Sequence, residues 1–410
     1  MDKKRILKFS RNFLYNLISS LIITVTTTFV VNPVLADRYD ATNYGLILTI
    51  ISTCSVFSNT LGNTLNNVRL VNNNIECEEE LKFNYYPILF ISSAVSAFLI
   101  FLLGIFYYGT NPITSLLLFV YCGFETFRLY IVVFYRVRLN YFRYMIMSLI
   151  MAIAYAVTSL LITDYEFWPI IYLSAEICAV LFTLFFGKAD RVVLKFSPNV
   201  KNVIKSYAIL IIAGLVSNIV LYLDKLLIYP VLGSEMVSIY SIASLIGKLY
   251  AVVMAPLTGV LLGYFAQRDA LINKKIFIVF SLLVISISII VVLFVPLLGS
   301  FSVKLLYPKS YNDANEYIFI CSLAAVVSTI PAFINTIILK MCKLSLQLWL
   351  NIVYGVLYIS LGVIMMKTNA LVGFCVASIL SSVVRSALLI IVGLIHFKKE
   401  EVKYEKQSQF

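Results

Sequence analysis

Residues 276–299 read IFIVFSLLVISISIIVVLFVPLLG and contain no charged side chain. A helix of this length can cross the hydrocarbon core of a bilayer, which takes about 20 apolar residues. The rest of the 410-residue chain is similar, with 61% hydrophobic and 13% charged residues and a mean hydropathy of +0.95. So apolar a composition leaves almost no sequence for a soluble domain. The sequence therefore predicts an all-α integral membrane protein.

Further apolar stretches of similar length bring the predicted number of transmembrane helices to about twelve. Six precede a basic cytoplasmic connector at residues 188–206 and six follow it, which divides the chain into six-helix bundles at 1–187 and 207–395 and a cytoplasmic tail at 396–410. The predicted spans are 13–35, 44–66, 85–108, 113–135, 144–163, 167–186, 207–229, 237–264, 276–299, 317–339, 346–366 and 371–395.

The net charge of +12 is distributed unevenly along the chain. If the N-terminus is cytoplasmic, 24 of the 32 Lys and Arg residues fall on the cytoplasmic side, four in outside loops and four within spans. This bias is the positive-inside pattern of membrane proteins. It predicts that both termini are cytoplasmic, and it explains the positive charge without nucleic-acid binding. Because a missed helix would invert every later loop, the bias also supports the number of spans.

A short repeated pattern links the two halves. Residues 33–35 read PVL and are followed by Tyr44, and residues 230–232 read PVL and are followed by Tyr240. Each copy lies where the first span of a half reaches the outside, which indicates an internal duplication. Six is an even number, so both halves enter the membrane the same way up and should be related by a pseudo-two-fold axis along the membrane normal. Transporters built from such parallel repeats bind substrate at the repeat interface and expose it alternately to each side.

Several short motifs lie along both halves of the chain. They are Arg11-Asn12, PVL at 33–35, Tyr44-Gly45-Leu46, Leu61-Gly62 and Arg69, then Asp224, Tyr240, Leu306-Tyr307, Tyr311 and Ala314. Together with twelve spans, this combination resembles the polysaccharide flippases of the multidrug, oligosaccharidyl-lipid and polysaccharide exporter superfamily, and the Wzx-like flippases of O-antigen and capsule repeat units in particular. One departure is the segment 38–40, Arg-Tyr-Asp, which stands where the family more often has a Leu-Gly step.

The resemblance implies a monomeric, alternating-access flippase in the bacterial cytoplasmic membrane. Its substrate would be an undecaprenyl-diphosphate-linked oligosaccharide, moved from the inner to the outer leaflet for O-antigen, capsule or exopolysaccharide synthesis. The expected partners are this glycolipid, the bilayer, and the polysaccharide polymerase and glycosyltransferases of the same pathway. No cofactor is expected, and coupling to a proton or sodium gradient is left open. The alternative is a drug or small-molecule antiporter of the same superfamily.

Four charged residues lie near the middle of predicted spans, where facing lipid would be costly. Glu125 and Glu176 are in the first half, and Lys248 and Arg385 are in the second. For a diphosphate cargo, the two bases are candidate substrate-binding residues, because Arg offers a planar fork for phosphate and Lys a compact charge. The alternative is structural pairing of the bases with the acids across the two halves. The two interpretations are compatible if the substrate displaces the carboxylate from its base when it binds.

Three more charged residues lie nearer the span ends. Arg128 is three residues after Glu125, which predicts an ion pair on one helix face; snorkelling to the headgroups and substrate binding are its alternatives. Lys225 lies close enough to the outer surface that we expect it to reach water. Asp224 joins Glu125 and Glu176 as a candidate cavity acid or coupling-ion site.

The sequence gives little indication of catalysis or of a metal site. The single histidine, His396, lies in the C-terminal tail, and the seven cysteines have no metal-ligand spacing. A catalytic triad, a zinc-protease motif and a glycine-rich phosphate loop are all missing. We therefore expect a transporter without enzymatic activity. The buried bases Lys248 and Arg385 favour an anionic cargo over the cationic drugs of the alternative.

Overall fold

The computed structural model describes residues 3–70, 84–187, 200–254, 274–341 and 344–407. Within these ranges the chain is almost entirely helical and has no β-strand. Ten helices are long and apolar enough to cross a membrane, and a bent pair of shorter helices makes an eleventh candidate. The predicted all-α, multi-pass membrane architecture is therefore confirmed. Most of the predicted connector lies outside the described residues.

The spans are numbered α1 to α12 in chain order. The longest helical segment, Trp349–His396, contains two of them. Its backbone is non-helical at Asn369 and Ala370, where Ala370 has a φ of +45°, so residues 349–368 form α11 and residues 371–396 form α12. With this break, each of the twelve predicted spans has a helical counterpart. The others are α1 Arg11–Arg38, α2 Ala41–Leu70, α3 Tyr86–Phe106, α4 Pro112–Val137, α5 Tyr141–Leu161, α6 Tyr165–Phe186, α7 Val203–Leu221, α8 Ser234–Ala243 with Leu245–Met254, α9 Phe277–Leu306 and α10 Ile318–Ile338.

The helices fall into two compact units, Met1–Leu226 and Leu227–Phe410. The first unit contains α1 to α6 and also α7, which the sequence assigned to the second half. After a turn at Tyr222, α7 continues as the short helix Leu223–Leu232, and the boundary between the units falls inside this continuation. The second unit contains α8 to α12.

The two copies of the PVL pattern occupy corresponding places. Residues 33–35 lie in Asn32–Arg38 at the end of α1, and residues 230–232 end the continuation of α7. The tyrosine that follows each copy lies on the next helix and is buried, with 2% of Tyr44 and 4% of Tyr240 exposed. The correspondence agrees with the duplication inferred from the sequence.

Arg38 joins the end of α1 to the end of α5. Its guanidinium donates hydrogen bonds to the carbonyls of Ser159, at 2.8 Å, and Ile162, and the Tyr39 hydroxyl donates to the carbonyl of Thr163 at 3.2 Å. The last carbonyls of a helix have no intrahelical donor and carry partial negative charge, so a cation there is stabilising. The segment that departs from the flippase pattern therefore caps α5.

A glycine sets the approach of α2 to α4. The turn Asn59–Asn63 of α2 is π-helical, and such turns often occur at functional sites. A Cβ on Gly62 would lie 2.4 Å from the carbonyl oxygen of Thr126 on α4, so a larger residue would push the two helices apart. The Leu61-Gly62 motif thus brings the polar face of α2 against the charged residues of α4.

Candidate functional site

A buried ion pair joins α4 to α6 in the first unit. Arg128 Nε donates to Glu176 Oε2, and the side chains are 13% and 1% exposed. The structure therefore pairs Arg128 with Glu176 and not with Glu125, the partner that the sequence predicted. Three-residue spacing places Arg128 and Glu125 on one helix face, but the long Arg side chain reaches laterally to the acid on the neighbouring helix.

Glu125 lies beside this pair and retains an oxygen without a partner. It is 5% exposed, and Ser55 on α2 donates to its Oε1 at 3.2 Å. Its Oε2 is buried and has no hydrogen-bond partner among the described residues. The charges of both Glu176 and Arg128 act on it. A carboxylate oxygen left open inside a membrane span is chemically suited to bind a proton or a small cation.

Aromatic side chains surround the three charges. The Tyr172 ring on α6 packs against three others, with centroid separations of 5.9 Å to Tyr121, 5.8 Å to Tyr155 and 6.0 Å to Trp168. Tyr121 and Tyr155 both interact electrostatically with the carboxylates. The polar contact of Glu125 is on the α2 side, at Ser55.

Polar side chains of α7 and its continuation bind α2 along a line that we call the α2–α7 seam, formed by Ser52 and Thr60 on α2 with Asn218 and Lys225. Asn218 Nδ2 donates to Thr60 Oγ1 at 3.1 Å, and Lys225 Nζ donates to Ser52 Oγ at 3.0 Å. The sequence analysis missed this seam. Ser52 and Ser55 are three residues apart and therefore share a helix face. This spacing was the one indication in the sequence of a polar face on α2.

Asp224 and Lys225 lie on the continuation of α7, Leu223–Leu232. Asp224 and Lys225 are both half-buried, and the Asp224 charge acts on the Lys225 ammonium. The ammonium of Lys225, which we expected to reach water, also has a partner in the seam. The role of Asp224 as a coupling acid stays a prediction.

In the second unit, Arg385 on α12 has only neutral contacts among the described residues. Its Nη2 donates to Asn351 Oδ1 at 2.8 Å, and its guanidinium carbon lies 4.5 Å from the centroid of the Tyr354 ring. The Nε atom is buried without a hydrogen-bond partner. The guanidinium is therefore oriented by an amide and an aromatic face, with a donor left over for an acceptor that these residues do not provide.

Lys248 and Arg385 lie at the two ends of one row of rings, which we call the aromatic row: Tyr240, Phe374, Tyr358 and Tyr354. Successive centroids are separated by 5.3, 5.7 and 5.6 Å. Lys248 Nζ is 4.9 Å from the Tyr240 centroid, and α8 bends by 60° between the two short helices that carry these residues. The structure thus places Lys248 and Arg385, the predicted substrate-binding bases of the second half, at opposite ends of the aromatic row. Asn351, which the sequence analysis missed, orients one of them.

An apolar cavity of about 450 Å³ lies between α3, α4 and α6. Four phenylalanines dominate its wall, and Ser93 is its one polar lining residue. Cavities of this size and composition suit apolar ligands such as hydrocarbon chains. The main apolar residues that line this cavity are Phe90, Phe119, Phe124, Phe127, Val180 and Leu184.

Within the described ranges, no group of three His, Cys, Asp or Glu side chains is arranged to hold a metal ion.

No protein-family model matches the chain, and no similar protein is found among the curated sequences. Solved transporter structures are similar in fold. An inward-facing multidrug resistance MATE family transporter of the MOP superfamily superposes with a TM-score of 0.67 at 14% identity, covering 95% of this chain and 96% of the other. An outward-facing structure of a multidrug resistance MATE family transporter of the MOP superfamily has a TM-score of 0.64 at 14% identity, with the same coverage of both chains.

A MOP superfamily transporter from Pyrococcus furiosus, described as having a binding pocket of reverse polarity that suggests a different function, superposes with a TM-score of 0.58 at 12% identity and 95% coverage of both chains. Similarity at this level of identity concerns the fold alone. This multi-pass membrane protein therefore has the fold of the MATE transporters of the MOP superfamily.

Proposed function

We propose that the protein is an alternating-access flippase for an undecaprenyl-diphosphate-linked oligosaccharide in the bacterial cytoplasmic membrane, acting in O-antigen, capsule or exopolysaccharide synthesis. The observation that carries this proposal is Arg385, a membrane-embedded guanidinium whose buried Nε has no hydrogen-bond acceptor among the residues that the structure describes. The fold supports the transport part, since structures of this fold include inward-facing and outward-facing transporters. The polymerase and glycosyltransferases of the pathway remain proposed partners.

The chemistry of Arg385 favours an anionic cargo. A cation within a span needs a compensating partner, and the contacts of Arg385 are an amide and an aromatic ring. A phosphate oxygen would supply the acceptor that Nε lacks, with the planar geometry that guanidinium matches. Lys248 adds a second positive charge at the far end of the aromatic row. A cationic drug would instead be repelled by both groups.

A second candidate function, cation-coupled drug export, rests on Glu125. Its unpartnered Oε2 suits a proton or a cationic substrate, and the similar solved structures include multidrug transporters. In the flippase the same oxygen would take the coupling ion, so Glu125 is required in both schemes. What separates the two functions is the charge of the transported molecule.

The test is lipid binding by the purified protein in nanodiscs, with undecaprenyl diphosphate and the neutral undecaprenol as probes. We expect the wild type to prefer the diphosphate, and the double variant Lys248→Gln with Arg385→Gln to lose at least about tenfold in affinity, since hydrogen bonds to charged groups are worth about 1.5–3 kcal/mol each. Replacing the exposed Lys304 by Gln is the matched control and should change little.

Equal affinity of the wild type for the two lipids would overturn the proposal. So would wild-type diphosphate binding by a double variant whose circular dichroism and melting temperature show that it is folded. Transport of a cationic dye that depends on Glu125 and is unaffected by undecaprenyl diphosphate would favour the drug exporter.

A further inference from the structure

Lys225 holds its ammonium group inside the α2–α7 seam with a single hydrogen-bond acceptor among the described residues. Nζ lies 3.0 Å from Ser52 Oγ. The Ser52 hydroxyl in turn donates its own hydrogen to the carbonyl of Leu48, at 2.7 Å. A lysine ammonium has three N–H donors, so most of its hydrogen-bonding capacity is not used by the protein.

The charges near Lys225 belong to Asp224 and Glu125. Asp224 is the chain neighbour of Lys225, and its charge acts on the ammonium. The carboxylate of Glu125 interacts with Tyr222, one turn before Lys225, and is already bonded to Ser55. A half-buried ammonium bound to one neutral hydroxyl is only partly compensated by the protein.

The same face of α7 and its continuation carries further donors. Asn218 is seven residues before Lys225, or about two helical turns, and its amide nitrogen also points to α2. Tyr222 lies between them, with its hydroxyl close to Ser55. An amide, a phenol and an ammonium therefore face the serine and threonine hydroxyls of α2. Each of these donors is able to exchange a hydroxyl partner for an anionic oxygen, which is the stronger acceptor.

We infer that Lys225 is an anion-binding residue of the first unit, whose ammonium leaves the Ser52 hydroxyl to bind a phosphate oxygen of the cargo. The inference rests on the proposed function for the identity of the cargo. It assigns a ligand to a cation that was expected from the sequence only to reach water. Binding would also remove one of the polar bonds between α7 and α2, so cargo recognition and the loosening of this helix pair would be one event.

The experiment compares three variants of the purified protein in nanodiscs, with undecaprenyl diphosphate as the probe. Lys225→Gln should lose about tenfold or more in affinity, because a charge-assisted hydrogen bond becomes a neutral one. Lys225→Arg keeps the positive charge and should stay within about threefold of the wild type. Ser52→Ala removes the competing acceptor and should raise the affinity. A lysine that only fastened α7 to α2 would give no gain in Ser52→Ala.

Two further arms identify what is bound and separate this inference from the proposed function. Inorganic pyrophosphate that competes as well as the lipid would assign the site to a free anion and overturn the cargo assignment. A wild type that does not distinguish undecaprenyl diphosphate from undecaprenol overturns the proposed function. A wild type that does, with folded Lys225→Gln binding equally well and no gain in Ser52→Ala, overturns the role of Lys225 alone.

Discussion

Removal of Arg128 should destabilise the protein more than removal of its partner Glu176. In the Arg128→Met variant, two carboxylates remain in the same cluster without a cation, and Glu125 and Glu176 are only 5% and 1% exposed. Breaking a buried ion pair from one side costs about 3–5 kcal/mol, and we expect the upper end because the two acids also repel each other. Glu176→Gln leaves Arg128 within the field of Glu125, so we expect a smaller cost of about 1–3 kcal/mol.

The assay is reversible unfolding in mixed detergent micelles, followed by far-ultraviolet circular dichroism during titration with dodecyl sulfate. The double variant Arg128→Met with Glu176→Gln completes a thermodynamic cycle, and it should be less destabilised than the sum of the two single variants. Arg11→Met, at an exposed position, is the control and should fall within about 0.5 kcal/mol of the wild type. If Glu176→Gln proves as costly as Arg128→Met, the carboxylates do not form the cluster described above.

Two other predictions concern packing and capping. Gly62→Ala should lower the free energy of unfolding by about 1–3 kcal/mol in the same assay, because the added Cβ would lie 2.4 Å from the Thr126 carbonyl oxygen. The control Gly123→Ala should be tolerated, because its Cβ has no contact closer than 3.7 Å. Equal effects of the two substitutions would contradict the close approach of α2 and α4. Arg38→Ala should lower stability by about 1–2 kcal/mol by uncapping α5, and it should speed amide hydrogen exchange at residues 159–163, an effect that Arg38→Lys should partly reverse.

The helices were predictable because the apolar character that identifies a span is averaged over about 20 residues. Hydropathy over about 20 positions and the side preference of Lys and Arg fix the number of helices without any knowledge of their neighbours. Even the break between α11 and α12 was expected from the loss of apolar character at residues 367–370. The sequence could not show that α7 binds α2, because this pairing depends on which face each helix turns towards the other.

The charged residues of the site were predictable as a set, but their partners were not. A charge inside an apolar span is visible in the sequence, and all six candidate residues lie within or next to described helices. Spacing along one helix predicts neighbours on that helix only, which is why Arg128 was paired with Glu125. The contact with Glu176 depends on the rotation of α6, and the Asn351 contact of Arg385 depends on how α11 lies against α12.

The position of α7 in the first unit bears on how the protein assembles during synthesis. Ribosomes deliver the chain from its N-terminus, so Ser52 and Thr60 enter the bilayer long before Asn218 and Lys225 are made. A chain released at residue 187 would leave this polar face of α2 towards lipid, which is unfavourable. A chain released at residue 232 would already contain both sides of it. We therefore expect the first unit to complete its packing only when the seventh span arrives, and truncated chains that end before it to be degraded faster than chains that include it.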